Sequence, residues 1–199
     1  DMTQAIGKVN LTINDVDLAS MSGHKIYGPK GIGLLYKNRN VVLTPLMYGV
    51  EDGELHPGTP ALPLIVSFAK ALRLALTDLN KKEEGVRKLN EVIIAHMRKY
   101  PEIQINSSKY CIPHILNLSL MSIKPETFIH ALESDEIYVS SNTACSHGKR
   151  SESVMNMYGE YKRSETTIRI SLSYMTLPSE INEFLDSFDK HYEKLSKLK

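Results

Sequence analysis

Ser22-Gly23-His24-Lys25-Ile26-Tyr27-Gly28-Pro29-Lys30-Gly31-Ile32-Gly33 is the stretch whose reading decides this chain. It lies between two short strand candidates, residues 16–21 and 31–36, so Lys25 sits on a strand-to-strand loop among small and hydroxyl-bearing residues. A lysine held in that setting has one recurrent use. It forms an imine with a carbonyl compound, provided some of the amine is unprotonated. Ser22 and His24 flank it as donors for a phosphate, and the glycines let backbone approach a ligand closely. A nucleotide phosphate loop does not fit, because Pro29 occupies the place of its lysine and no Ser or Thr follows Lys30. The order Gly28-x-x-Gly31-x-Gly33 also runs opposite to the dinucleotide fingerprint. On these residues alone, an ordinary glycine-rich turn with a solvated lysine stays open.

Outward from that loop, 199 residues allow one domain or two small ones, with enough chain to bury a core. A net charge of +1 gives no reason to expect a nucleic-acid or membrane-surface partner. Hydrophobic content of 42% suits a globular chain, and no apolar run approaches the roughly 20 residues that cross a bilayer. Two cysteines, Cys111 and Cys145, are too few for a disulfide framework, which favours a reducing cytoplasmic setting. Residues 49–63 read as a long functional loop. From Leu64 the apolar spacing turns helical, through Ile65, Phe68, Leu72, Ala75, Leu76 and Leu79, with a break at Asn80. A second helix buries Val86, Leu89, Ile93 and Met97 and ends before Pro101. Strands follow at residues 103–105, 115–120, 137–139 and 167–172, with helices at 125–133 and 151–158. A last helix starts from Thr176 as N-cap and carries Ile181, Phe184, Leu185, Phe188, Tyr192 and Leu195 inward. His96, His130 and His191 read as solvated. The domain boundary falls near Asn80.

Cys145 lies in Ser140-Ser141-Asn142-Thr143-Ala144-Cys145-Ser146-His147-Gly148, a polar run without the apolar neighbours of a structural cysteine. A thiol with a pKa of about 8.5 is only slightly ionised at neutral pH, and His147 is placed to raise that fraction. Cys111, before Ile112-Pro113, reads as inert. Cys111-x-x-His114 with Cys145-x-His147 could be drawn as a zinc site, but the second spacing is too tight for the usual structural patterns.

Taken together, the motifs resemble those of the NifS/IscS-type cysteine desulfurases, pyridoxal-phosphate (PLP) enzymes of fold type I in the class V aminotransferase group. The Lys25 segment resembles the family's cofactor-lysine segment. Asp1-x-x-Gln4-x-x-Gly7-Lys8 resembles its ring-binding strand end, and Pro57-Gly58-Thr59-Pro60 its Arg-x-Gly-Thr loop. Residues 115–119 resemble its small-domain strand, 140–146 its active-site cysteine loop, and Ile168-Arg169-Ile170-Ser171-Leu172 its carboxylate-binding strand.

The resemblance implies an α/β fold: residues 1–80 as the C-terminal part of the fold type I large domain, and 81–199 as an α+β small domain with the cysteine loop. It implies Lys25 as the cofactor lysine and Cα proton carrier, Asp1 on the pyridine nitrogen and Gln4 on the ring oxygen. It puts Ser22, the Gly23 backbone and His24 at the phosphate end. Thr59 would reach the phosphate held by the other subunit of a homodimer. Arg169 would grip the carboxylate of L-cysteine. Cys145 would take the sulfur as a persulfide, leaving L-alanine, and pass it to an acceptor protein serving iron–sulfur cluster assembly or tRNA thiolation. No resident metal is implied, with Cys145 at most a transient cluster ligand.

The chain departs from the family pattern at His56, Tyr174 and His114, and in the acidic Glu51-Asp52-Gly53-Glu54. These departures bear on selectivity and acceptor pairing, not on the lysine or cysteine chemistry. The rivals are a selenocysteine lyase or another class V enzyme, a non-catalytic fragment or sulfur-relay module, and a zinc module. The resemblance also implies that the 199 residues are the C-terminal half of a larger enzyme, poorly stable and inactive by themselves.

Overall fold

The computed structural model describes residues 1–49, 55–141 and 150–197. They fold as two compact units, Asp1–Lys81 and Lys82–Lys199.

In the first unit, β1 (Leu18–Ser22) and β2 (Gly33–Lys37) form an antiparallel ribbon, with Ser22 opposite Gly33 and Leu18 opposite Lys37. Alternation along β1 buries Ala19 and Met21 and leaves Leu18 and Ser20 outside, as expected of a half-buried strand. The ribbon ends join through a single 3-10 turn, Gly23–Ile26, which carries Lys25. Tyr27 closes that turn in the left-handed region at φ 63°. Helix α1 (Leu62–Leu76) begins with Pro63 in its first turn, where the missing N–H costs nothing. It buries Phe68 and Ala75 against Ile6, Ala19, Met21 and Ile26.

Two expectations for this unit need correction. The α1 stripe is narrower than its spacing suggests, since Ile65 and Leu76 are exposed; a two-stranded ribbon has too little apolar face to cover it. The break between helices falls at Thr77–Asp78, where Asp78 takes φ 52°, and Asn80 lies inside α2 (Leu79–Met97). Aspartate tolerates this conformation better than most side chains.

The second unit holds a three-stranded antiparallel sheet, order β3 (Gln104–Ile105), β4 (Ile115–Ser119), β5 (Thr167–Ser171). Around it lie α2, α3 (Pro125–Glu133), α4 (Glu152–Tyr158), α5 (Tyr161–Glu165) and α6 (Pro178–Ser196). The core joins Ile93 and Met97 of α2, Leu116 and Leu118 of β4, Phe128 and Leu132 of α3, and Ile168 of β5 to the α6 aromatics. Phe128 meets Phe188 edge-on at 4.9 Å, and Phe188 stacks on Tyr192 at 5.6 Å. The α6 stripe read from the sequence is the stripe that is buried, with Leu195 at its partly covered end.

Three details differ. Residues 137–139 form no ladder; one bridge, Ser140 to Arg169, stands in their place. Alternation marks a half-buried segment but cannot supply a pairing partner. Thr176 does not cap α6: its hydroxyl accepts from Ser173 N–H, while Glu180 reaches back to Leu177 N–H at 2.7 Å. The short α5 was not expected. Among the described residues, no helix is long and apolar enough to cross a membrane.

Candidate active site

In the first unit the chain start runs beside β1, tied by Met2 N–H to Ser20 O at 2.9 Å. Asp1 Oδ1 accepts from Thr3 N–H at 2.7 Å, and Lys8 Nζ donates to Gln4 Oε1 at 2.7 Å. On the 3-10 turn, Ser22 Oγ and His24 Nδ1 are hydrogen-bonded at 2.8 Å. Lys25 is exposed. Lys8 is half-buried, and burial first, then the charge of Lys25, hold its ammonium below the usual lysine range. Asp1, Gln4, Ser22, His24 and Lys25 therefore share one end of the β1–β2 ribbon, with Lys8 among them.

The loop's glycines have steric reasons. A Cβ on Gly28 would lie 2.8 Å from Gly23 O, and one on Gly23 would lie 3.1 Å from Pro29 O. The Gly23 amide is already used, donating to Ile32 O at 3.0 Å. Its place in the site is thus close backbone approach, and Ser22 and His24, hydrogen-bonded to each other, are the side chains with capacity left for a ligand. Thr59 is exposed on the segment leading into α1 and makes no hydrogen bond to this group among the described residues. His56 is exposed as well.

The donor set fits PLP. A hydroxyl and an imidazole suit an anionic end, an amine suits a carbonyl, an amide suits a ring oxygen, and Asp1 Oδ2, with no hydrogen bond among the described residues, suits a protonated ring nitrogen.

In the second unit, Arg169 sits on β5 between Asn117 and Ser140. Its backbone is fixed by Arg169 N–H to Ser140 O at 2.6 Å and Ser140 N–H to Arg169 O at 3.1 Å. Its side chain is held only loosely, Nη2 to Ser140 Oγ at 3.4 Å. Arg169 Nε is buried with no hydrogen-bond partner among the described residues. A buried unsatisfied donor on a charged group is costly unless a ligand completes it.

Cys145 and His147 lie outside the described residues, as do Glu51 to Glu54. The flanks of the cysteine segment are described. Thr167 Oγ1 donates to Ser141 O at 3.1 Å before it, and Ser151 N–H donates to Ser164 O at 2.8 Å after it. Ser151 Oγ also caps α4 through Val154 N–H. Beside that far anchor is a polar network that sequence reasoning missed. Asn106 Nδ2 donates to Asn117 Oδ1 (2.6 Å) and Ser119 Oγ (2.8 Å), while Arg163 Nε donates to Asn106 Oδ1 (2.6 Å). The Arg163 guanidinium stacks 3.5 Å over Tyr158.

Two of the three histidines read as solvated, His191 and His96, are not. His191 is buried against Asp135 at 2.9 Å, and His96 meets Asp189 at 2.6 Å. Hydrogen bonds from Ser187, Lys190 and His191, in that order, lower the Asp135 carboxyl to about 2. Burial pushes Asp189 up, yet hydrogen bonds from His96 and Tyr100 outweigh it and leave it lowered. His130 is exposed and bonds Glu133 at 2.7 Å. Cys111 is an exposed free thiol, 3.7 Å from Ser108 Oγ. Tyr174 carries the Lys82 ammonium 4.6 Å over its ring. His114 is buried.

Known proteins resemble this chain along its whole length. A NifS/IcsS protein homolog of Lactobacillus delbrueckii subsp. bulgaricus is 35% identical, over all of this chain and 54% of its own. A human cysteine desulfurase is 30% identical, over all of this chain and 45% of its own. A solved NifS-like protein superposes with a TM-score of 0.83 at 29% identity, covering 98% of this chain and 51% of its own. A NifS-like protein from Rickettsia africae gives 0.82 at 25%, over 96% and 52%. The chain thus spans about half the length of the relatives it matches, and its α/β fold is theirs. The family model for aminotransferase class V runs from residue 1 to residue 184, through both units, and the chain belongs to that family.

Proposed function

We propose that this chain carries the cofactor lysine and the sulfur-accepting cysteine of a PLP-dependent cysteine desulfurase. The observation that carries the reading is Arg169: a buried guanidinium nitrogen without a hydrogen-bond partner among the described residues, on the strand bridged to Ser140, five residues before Cys145. That donor calls for a carboxylate, and a thiol-bearing segment follows directly. The names of the relatives point the same way.

In this reading residues 1–80 are the cofactor-binding part of the large domain, and 81–199 are the small domain. Lys25 holds the cofactor and later carries the proton at the substrate Cα. Ser22 and His24 bind its phosphate, Gln4 its ring oxygen, and Asp1 its ring nitrogen. Thr59 reaches the phosphate bound by the other subunit of a homodimer. Bound PLP supplies a ring that stabilises negative charge at the substrate Cα.

Arg169 orients L-cysteine by its carboxylate. The Cys145 thiolate attacks the substrate sulfur. A sulfur–sulfur bond forms as the carbon–sulfur bond breaks, and the carbon fragment gains a proton to leave as L-alanine. The persulfide on Cys145 is then handed to a sulfur-acceptor protein, a cluster scaffold or a tRNA-thiolation enzyme, in the reducing cytoplasm.

The test is the visible spectrum of the full-length protein and of its Lys25→Ala variant. The wild type is expected to show a bound-PLP band that the variant lacks. An unchanged spectrum in the variant refutes the assignment of Lys25.

A further inference from the structure

Lys8 has no part in the chemistry above. It is half-buried four residues after Gln4, and its Nζ donates to Gln4 Oε1 at 2.7 Å. Neither Lys8 nor Lys25 forms an ion pair among the described residues.

A lysine ammonium can only donate, so the glutamine must turn its oxygen towards it. The Gln4 Nε2 hydrogens are then left for another acceptor. The same geometry with the amide reversed would set donor against donor.

We infer that Lys8 is a positioning residue for the cofactor: by holding Gln4 Oε1, it fixes the Gln4 amide as a hydrogen-bond donor to an anionic ring oxygen. The mutual electrostatics agree. Burial and the neighbouring Lys25 charge lower the Lys8 pKa, and two neighbouring lysines with no ion pair among the described residues favour an anionic ligand group. This rests on the reading of Asp1, Gln4 and Lys25 as a PLP site.

The experiment is a PLP titration of the full-length apo protein, followed by absorbance and by thermal melting. It uses the wild type, Lys8→Met, Lys8→Arg, Gln4→Ala and the Lys8→Met/Gln4→Ala double variant. Losing a hydrogen bond to a charged or anionic group predicts about tenfold weaker PLP binding for Lys8→Met and for Gln4→Ala. Because Lys8 acts through Gln4, the double variant should bind within about twofold of Gln4→Ala. Lys8→Arg should stay within about threefold of the wild type, since it keeps the donor.

Losses that multiply in the double variant overturn the inference, as does a Lys8→Met protein that binds PLP normally. Lys8→Arg as weak as Lys8→Met also overturns it. A Lys8→Met variant that unfolds, with Lys8→Arg and Gln4→Ala binding PLP like the wild type, refutes it too, leaving Lys8 a purely structural role. A wild type that binds no PLP overturns the functional reading itself, whereas multiplying losses in a PLP-binding protein overturn only the role of Lys8.

Discussion

Replacing Arg169 by lysine separates a ligand-binding role from a structural one. The β5 register at this position is held by backbone bonds to Ser140 at 2.6 and 3.1 Å, which the substitution leaves alone. Among the described residues the side chain contributes one long bond, Nη2 to Ser140 Oγ at 3.4 Å. At that length it is worth under about 1 kcal/mol. Arg169→Lys should therefore change folding stability by less than about 1 kcal/mol, a few degrees in melting temperature.

Ligand binding should respond differently. Lysine keeps the charge but lacks the Nε donor and the planar fork that match a carboxylate. A charge-assisted hydrogen bond contributes about 1.5–3 kcal/mol, so KM for L-cysteine should rise about 10- to 150-fold. The fall in kcat should be smaller, because the carboxylate is gripped equally before and during the reaction. Steady-state alanine formation and thermal melting of the same preparations give both numbers. A variant that melts far lower with unchanged KM would show that Arg169 serves the fold and not the substrate.

Two further outcomes follow from the second unit. Phe188 is fully buried against Phe128, Phe184 and Tyr192, so Phe188→Ala should cost about 3–5 kcal/mol in denaturant unfolding; a loss under about 1 kcal/mol would contradict this packing. Asp135 has a folded-state pKa of about 2 against an ordinary 3.8, so its contribution to stability is present above pH 4 and fades as pH falls towards 2. Asp135→Asn should flatten the acid limb of the stability curve in that window, and an unchanged limb would remove the Ser187–Asp135–His191 cluster from the account.

What could be read from the sequence was whatever local spacing dictates. The α6 stripe, the bounds of α3 and the alternation of β4 all follow from side-chain period against one apolar face. The Ser22-Gly23-His24-Lys25 group was legible for the same reason, since its members lie within one turn and their spacing is their geometry.

Features made by distant partners were not legible. His191 becomes a buried residue only because Asp135, 56 positions away, comes to meet it. Residues 137–139 have a strand's pattern, but only Ser140 finds a neighbour. Arg163 pins Asn106 from 57 positions away, and nothing local announces it. That Arg169 Nε finds no partner among the described residues is likewise a property of its surroundings. The bond between Lys8 and Gln4 could have been found, because an i, i+4 donor–acceptor pair in a turn-rich segment is a local signal.

The central claim, that sulfur leaves cysteine for Cys145, is tested most directly by the intact mass of the full-length protein after one turnover with L-cysteine, without added thiol. The account predicts a protein one sulfur atom heavier, the addition mapping to the peptide that contains Cys145, with alanine released in equal amount. It also predicts that Cys145→Ser keeps bound PLP but shows neither the added sulfur nor the alanine. Unmodified Cys145 in the wild type, or full alanine release by Cys145→Ser without a thiol acceptor, would contradict it.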